Sequence, residues 1–214
     1  MKKIKVYPND LRKTKPVIDK AAKVLWDGGV IVIPTDTVYG LLADATQEKA
    51  VEKIYQIKNR AQNKPLPLFC SDLKMAKKVA IISPKVEKKL TQIWPGVITV
   101  VLPNRRKLSA IVTADLPIIA LRVPNYKLVN YLLEIYSRPL VATSANISGQ
   151  QASTEIKEVL EQFNQASKKP DLILNAGNLV NNSPSTIIDL VHQKSRFLRI
   201  GPIKKGDLDK ILGE

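Results

Sequence analysis

At 214 residues with 44% hydrophobic content, the chain can bury a core of its own, and it has no run of about 18 apolar residues that could span a membrane. The N-terminus, MKKIKVYPND, has basic residues with no apolar stretch behind them, so no signal peptide is read and the protein is expected to be soluble and cytoplasmic. A single cysteine, Cys70, and a single histidine, His192, exclude an internal disulfide, a Cys/His metal cluster and a triad needing a second histidine.

The formal net charge of +15 is unevenly placed. Residues 1–107 carry 22 Lys/Arg against 9 Asp/Glu, whereas residues 108–214 carry 12 against 10. Such a field attracts polyanions, a nucleotide or RNA, although lysines such as Lys77, Lys78, Lys88 and Lys89 equally serve to solvate helix faces.

In chain order, residues 13–27 place Val17, Ile18, Ala21, Val24 and Leu25 on one helical face, and Gly28-Gly29 stops the helix. A buried strand follows at 30–33, then the turn PTDTVYG, a helix at 47–58 and a strand at 66–69 that ends at Cys70, read as a small strand residue. Helices are predicted at 71–79 and 84–93, the second with Ser83 as cap and Pro84 in the first helical position. Strands are predicted at 98–102, 118–123, 140–142, 172–174, 186–190 and 197–200, with helices at 127–136, 154–163 and 207–212. The alternation describes one α/β domain over residues 1–214 with a large mixed sheet.

Neither G-x-x-x-x-G-K-[ST] nor G-x-G-x-x-G occurs, so a bound nucleotide would be gripped by side chains. Lys58, Arg60 and Lys64, read as extended chain after the 47–58 helix, combine fork-shaped and compact cations suited to a triphosphate. The segment PLVATSANISG at 139–149 reads as a strand emptying into small hydroxyl and amide residues, either an anion-binding loop or an ordinary Ser/Asn/Gly turn. Arg122, closing an apolar strand, needs an anionic partner if buried.

PTDTVYGLLADAT, KIYQIKNR with Lys64-Pro65-Leu66 behind it, WPGVITVVL, ALRVPN, TSANISG, STIIDL and LRIGP, spread from Pro34 to Pro202, together resemble the YrdC-like family of threonylcarbamoyl-AMP synthases. The resemblance implies a twisted, mixed but mainly parallel sheet flanked by helices and enclosing a positively charged cavity. It implies a nucleotidyltransferase that joins L-threonine, bicarbonate or CO2, and ATP with Mg²⁺ into threonylcarbamoyl-AMP and pyrophosphate, for modification of the tRNA adenosine beside the anticodon. By the same resemblance, Thr37, Arg122, Ser144 and Ser185 hold threonine, and Lys58, Arg60, Lys64, Ile118, Asn146, Thr154 and Arg199 hold ATP, with Lys58 and Arg60 catalytic. No metal-ligating set is implied. The implied partners are tRNA and a downstream tRNA threonylcarbamoyl transferase complex, with no membrane.

Phe69 stands where some family members have a histidine near the threonine, and Gln150-Gln151-Ala152 replaces the more usual Lys-Pro-Ser. The end at Glu214 resembles the short, single-domain form. Two other readings are an RNA-binding module without catalysis, for which no RNP-like aromatic motif is present, and the carbamoyltransferase maturation factors that contain a YrdC-like domain, which are long chains with zinc-binding cysteines.

Overall fold

Two layers of apolar side chains, one on each face of a single ten-stranded sheet, organise the chain. The computed structural model describes residues 1–180, 183–192 and 195–212, so Glu214 of the expected 1–214 domain lies outside the described residues. The strands are β1 (Lys2–Lys5), β2 (Ile31–Ile33), β3 (Gly40–Asp44), β4 (Leu68–Phe69), β5 (Ile98–Pro103), β6 (Ile118–Arg122), β7 (Leu140–Ser144), β8 (Leu172–Asn175), β9 (Thr186–Asp189) and β10 (Arg196–Arg199). Their order is β1-β8-β2-β3-β7-β4-β6-β5-β9-β10. The expected mixed sheet is present, but it is not mainly parallel. β1/β8, β2/β8, β4/β6 and β5/β9 are parallel, whereas β2/β3, β3/β7, β4/β7, β5/β6 and β9/β10 are antiparallel.

Two strands escape the sequence reading, and each omission has a physical cause. β1 is a lysine-rich edge strand, mostly exposed, which polar composition disguises. β3 begins inside the motif read as a turn, at Gly40, and its five residues are all buried. A short helix, α5 (Ala110–Thr113), also went unread, and β4 is shorter than expected because Pro65 and Pro67 have no N–H for a ladder.

The helices fall close to expectation. α1 (Leu11–Trp26) starts earlier because Asp10 caps it by accepting from Lys13 N–H at 3.2 Å, and Gly28, at φ +73°, takes the left-handed turn that ends it. α2 (Glu48–Lys58) ends at Asn59, which is left-handed at φ +48°. The chain at 58–60 is therefore a helix end, not the extended segment expected. α3 (Leu73–Val79) is capped by Asp72, and α4 (Pro84–Ile93) by Ser83 as predicted. α6 (Lys127–Tyr136), α7 (Ile156–Gln165) and α8 (Lys205–Leu212) complete the set.

Strand alternation divides these elements. One layer takes Ile31, Ile33, Leu42, Leu140 and Ala142 and covers them with Ile18, Ala21 and Leu25 of α1 and Leu128, Leu132 and Tyr136 of α6. The other takes Val32, Leu41, Val100, Ile119, Leu121 and Ile188, packed against residues of the remaining described helices. Burial on this scale, at roughly 25 cal/mol per Å² of apolar surface, is the dominant stabilising term. Among the described residues the helical side chains of the first layer come from α1 and α6, and they cover its β1–β4 half. Where β6, β5, β9 and β10 continue that face, the sheet floor opens into a cavity.

Candidate functional site

The cavity floor is what the period of two leaves over. In β6, Ile119 and Leu121 enter the core while Ile118, Ala120 and Arg122 line the cavity; in β5, Val100 is core while Thr99 and Val101 line it. Strand ends supply the polar groups: Thr35 and Thr37 after β2, Thr143 and Ser144 at the end of β7, Ser185 before β9, and Arg199 on β10. This hollow measures about 390 Å³. A second, of about 330 Å³, is lined by Lys58, Arg60, Lys64, Asn146 and Ser148, and the two share Arg60, Thr143 and Ser144. They form one continuous candidate site.

Arg122 is 3% exposed, and the anionic partner that burial demands is Asp36. Its Nη2 donates to Asp36 Oδ1 in a short ion pair, Nε to the Gly96 carbonyl at 2.8 Å, and Nη1 to Thr37 Oγ1 at 3.3 Å. A guanidinium has five N–H groups, so these three bonds leave two for a ligand. The other Asp36 oxygen accepts from Asn125 N–H at 3.0 Å, which fixes the carboxylate. Phe69 lies under the guanidinium, its ring centroid 5.4 Å from Arg122 Cζ. Asp36 is the residue the sequence reading passed over, although it is the carboxylate within a hydroxyl-rich turn after a buried strand.

Arg199 donates through Nε to the Ser185 carbonyl at 2.9 Å and through Nη2 to Ser185 Oγ at 3.1 Å, and that hydroxyl also pairs with Thr99 Oγ1 at 2.8 Å. Gly201 makes this possible. A Cβ there would lie 2.6 Å from the Thr186 nitrogen and closer still to the Pro184 carbonyl, so only glycine lets the chain after β10 cross so near. Arg60 donates to the carbonyls of Lys64 (3.3 Å) and Pro65 (2.9 Å) at the junction of the two hollows.

Burial lowers the pKa of Arg60, Arg122 and Arg199, and the Arg122 charge lowers that of Arg199 further, while Asp36 acts in the opposite sense on Arg122. All three remain cationic. Three guanidiniums, that of Arg122 buried, thus face one hollow.

Lys58 is placed otherwise than a solvated cavity residue. It is 2% exposed, and its ammonium donates to the carbonyls of Ser144 (2.6 Å) and Asn146 (2.7 Å) and to Asn146 Oδ1 (3.2 Å). Burial, with a smaller contribution from Arg60, pulls its pKa down to about 7. The Asn146 side-chain NH₂ is likewise engaged, donating to the carbonyls of Ile147 and Gln150 at 2.9 and 2.7 Å.

The structure therefore brings together Thr37, Arg60, Arg122, Ser144, Ser185, Ile118 and Arg199, with Lys58, Lys64 and Asn146 in the adjoining hollow. Thr154 is not among the lining residues of either hollow; it sits before α7, where its carbonyl accepts from Leu179 N–H. Cys70 is fully buried, and burial pushes its thiol up to about 12, so it is no nucleophile. No helix among the described residues is long and apolar enough to cross a membrane.

Fold and site together define a mixed α/β protein with an arginine-lined cavity at its strand ends. The chain belongs to the Sua5/YciO/YrdC family, whose model, described as "Telomere recombination", matches residues 23–201. It is 33% identical over 195 residues to the threonylcarbamoyl-AMP synthase of Pyrococcus abyssi, a match covering 91% of this chain and 56% of the relative. A Methanocaldococcus jannaschii relative is 34% identical over 204 residues, covering 94% of this chain and 95% of its own length. The crystal structure of P. abyssi Sua5 complexed with L-threonine superposes with a TM-score of 0.88 at 30% identity, over 100% of this chain and 61% of that one.

Proposed function

We propose that the chain synthesises threonylcarbamoyl-AMP and pyrophosphate from L-threonine, bicarbonate or CO2, and ATP, supplying a tRNA threonylcarbamoyl transferase complex in the cytoplasm. The observation that carries this reading is the convergence of Arg60, Arg122 and Arg199 on one hollow beside the hydroxyls of Thr37, Ser144 and Ser185. Family membership, the relatives named threonylcarbamoyl-AMP synthase and the L-threonine complex of P. abyssi Sua5 support this reading. A module that only binds RNA would leave the buried Arg122 without a role.

In this reading the two remaining N–H groups of Arg122 take the threonine carboxylate, and Thr37, Ser144 and Ser185 surround the rest of the amino acid. Arg60, Lys64 and Arg199 grip the phosphates, and Ile118 borders the adenosine. The threonine amine attacks CO2, forming an N–C bond and releasing a proton. A carbamate oxygen then attacks the α-phosphorus as the bond to pyrophosphate breaks. The protein's work is positioning and charge neutralisation, with no acid–base pair required. Among the described residues neither hollow is lined by a carboxylate, so the residues present do not fit a protein-bound cation. Mg²⁺ in this reading travels with the phosphates of ATP.

The test is pyrophosphate release by purified protein. Release should require both threonine and bicarbonate, and serine should serve less well, because the lost methyl contact is worth on the order of 1 kcal/mol. ATP hydrolysis indifferent to threonine and bicarbonate would count decisively against the proposal.

A further inference from the structure

Three oxygens converge on Lys58: the carbonyls of Ser144 and Asn146 and the side-chain oxygen of Asn146. Their partial negative charges repel, and they meet at one point only if a cation sits there. An ammonium has three N–H groups, so all are engaged. The main chain closes the same joint from the other side, since the Lys58 carbonyl accepts from Ser148 N–H at 2.7 Å. Asn146 Oδ1 also accepts from Ser144 Oγ at 2.5 Å, and Ile147 N–H donates to Gln162 of α7 at 3.0 Å. The loop at 144–150 is thus tied to the end of α2 through one charged side chain.

We propose that Lys58 is a positioning residue, whose ammonium holds the loop at 144–150 in the shape that presents Ser144 to both hollows, and that it does not contact the nucleotide. The cations left to meet phosphate at the second hollow are Arg60 and Lys64. This consequence rests on the synthase reading; the holding of the loop does not. Burial of Lys58 at the helix end, away from water, supports the assignment.

Two measurements test it. In ligand-free Lys58→Met, which keeps the side-chain length and removes the charge and donors, amide hydrogen exchange at Ile147, Ser148 and Gln150 should quicken tenfold or more, with amides of α1 and α6 unchanged. Loop exchange equal to that of the parent protein would overturn the proposal. Should Lys58→Met fail to fold, the unmodified protein still decides: in ¹⁵N-lysine spectra, inorganic tripolyphosphate should shift Lys64 and leave Lys58 in place. A Lys58 shift as large as that of Lys64 overturns the proposal. If neither lysine moves, the phosphate reading of the hollow fails, while loop exchange still judges the role of Lys58.

Discussion

Asp36→Asn probes the pair on which the carboxylate reading depends. Arg122 is 3% exposed and the Asp36 side chain 10%, so water compensates neither charge well. Asparagine keeps the shape and one oxygen, but its NH₂ must face either Arg122 Nη2 or Asn125 N–H, donor against donor. Removing one member of a buried ion pair costs about 3–5 kcal/mol, and the retained oxygen places this variant near the lower end, about 3 kcal/mol. Denaturant unfolding without ligand measures that loss. A bound carboxylate would then stand in for the missing anion, so saturating L-threonine should stabilise Asp36→Asn more than it stabilises the parent. Linkage makes the difference measurable, because a ligand at a hundredfold above its Kd contributes about 2.7 kcal/mol. A threonine effect equal to or smaller than the parent's would refute placement of the carboxylate at Arg122. A loss below about 1 kcal/mol would refute the energetic account of the buried pair.

Arg60→Lys keeps the charge but loses the fork, so ATP affinity should fall about tenfold, roughly 1.4 kcal/mol, with folding unaffected; unchanged affinity and turnover would remove Arg60 from the site. Gly201→Ala forces a Cβ against the backbone of Pro184 and Thr186 and should cost about 1–3 kcal/mol in unfolding experiments, with weaker ATP binding as Arg199 is displaced. Asp44 is fully buried and accepts hydrogen bonds from Thr46, Gln47, Tyr136 and the half-exposed Arg138. Burial opposes its ionisation, but the hydrogen bonds from Thr46, Tyr136 and Gln47 outweigh it and hold the pKa below 3.8. A folded pKa depressed in this way gives stability that is present above the unfolded value and lost as pH falls through the folded one. Asp44→Asn should therefore cost about 3 kcal/mol at pH 7 and flatten the acid limb of the stability curve; an unchanged acid limb would show that Asp44 does not govern it.

Much of the site was legible because strand ends announce themselves chemically. An apolar run ending in Arg122, or in Thr143-Ser144, has to empty into something polar, and a doubly wound or mixed sheet gathers such ends in one place. What stayed illegible depends on long-range geometry. The helix end at Lys58 was legible, but nothing in KNR says that Asn59 is left-handed and turns Lys58 and Arg60 to different surroundings. Asp36 as the partner of Arg122 joins residues 86 apart, a distance over which no local pattern operates. The excess of antiparallel pairing follows from β3, a strand concealed inside a motif that looks like a turn.

The unsatisfied electrostatics of the cavity join fold to chemistry. The Arg122 charge disfavours the cationic form of Arg199, and Asp36 supports that of Arg122, while Arg199 donates to two neutral oxygens of Ser185. Ile119, Leu121 and Ile188 anchor β6 and β9 from below, so the backbone that carries Arg122 and Ser185 is fixed by core packing. Folding free energy thus holds the Arg122 charge in place before any ligand arrives. A reaction that assembles a carboxylate, a carbamate and a triphosphate in one hollow needs such a charge in advance, because the anions would otherwise repel as they approach. The cost falls on the empty protein, which should be stabilised by inorganic pyrophosphate in proportion to how far it quenches Arg199 and Arg60. Thermal unfolding with and without pyrophosphate measures this, and an unchanged midpoint at millimolar pyrophosphate would deny that the cavity is charged for anions.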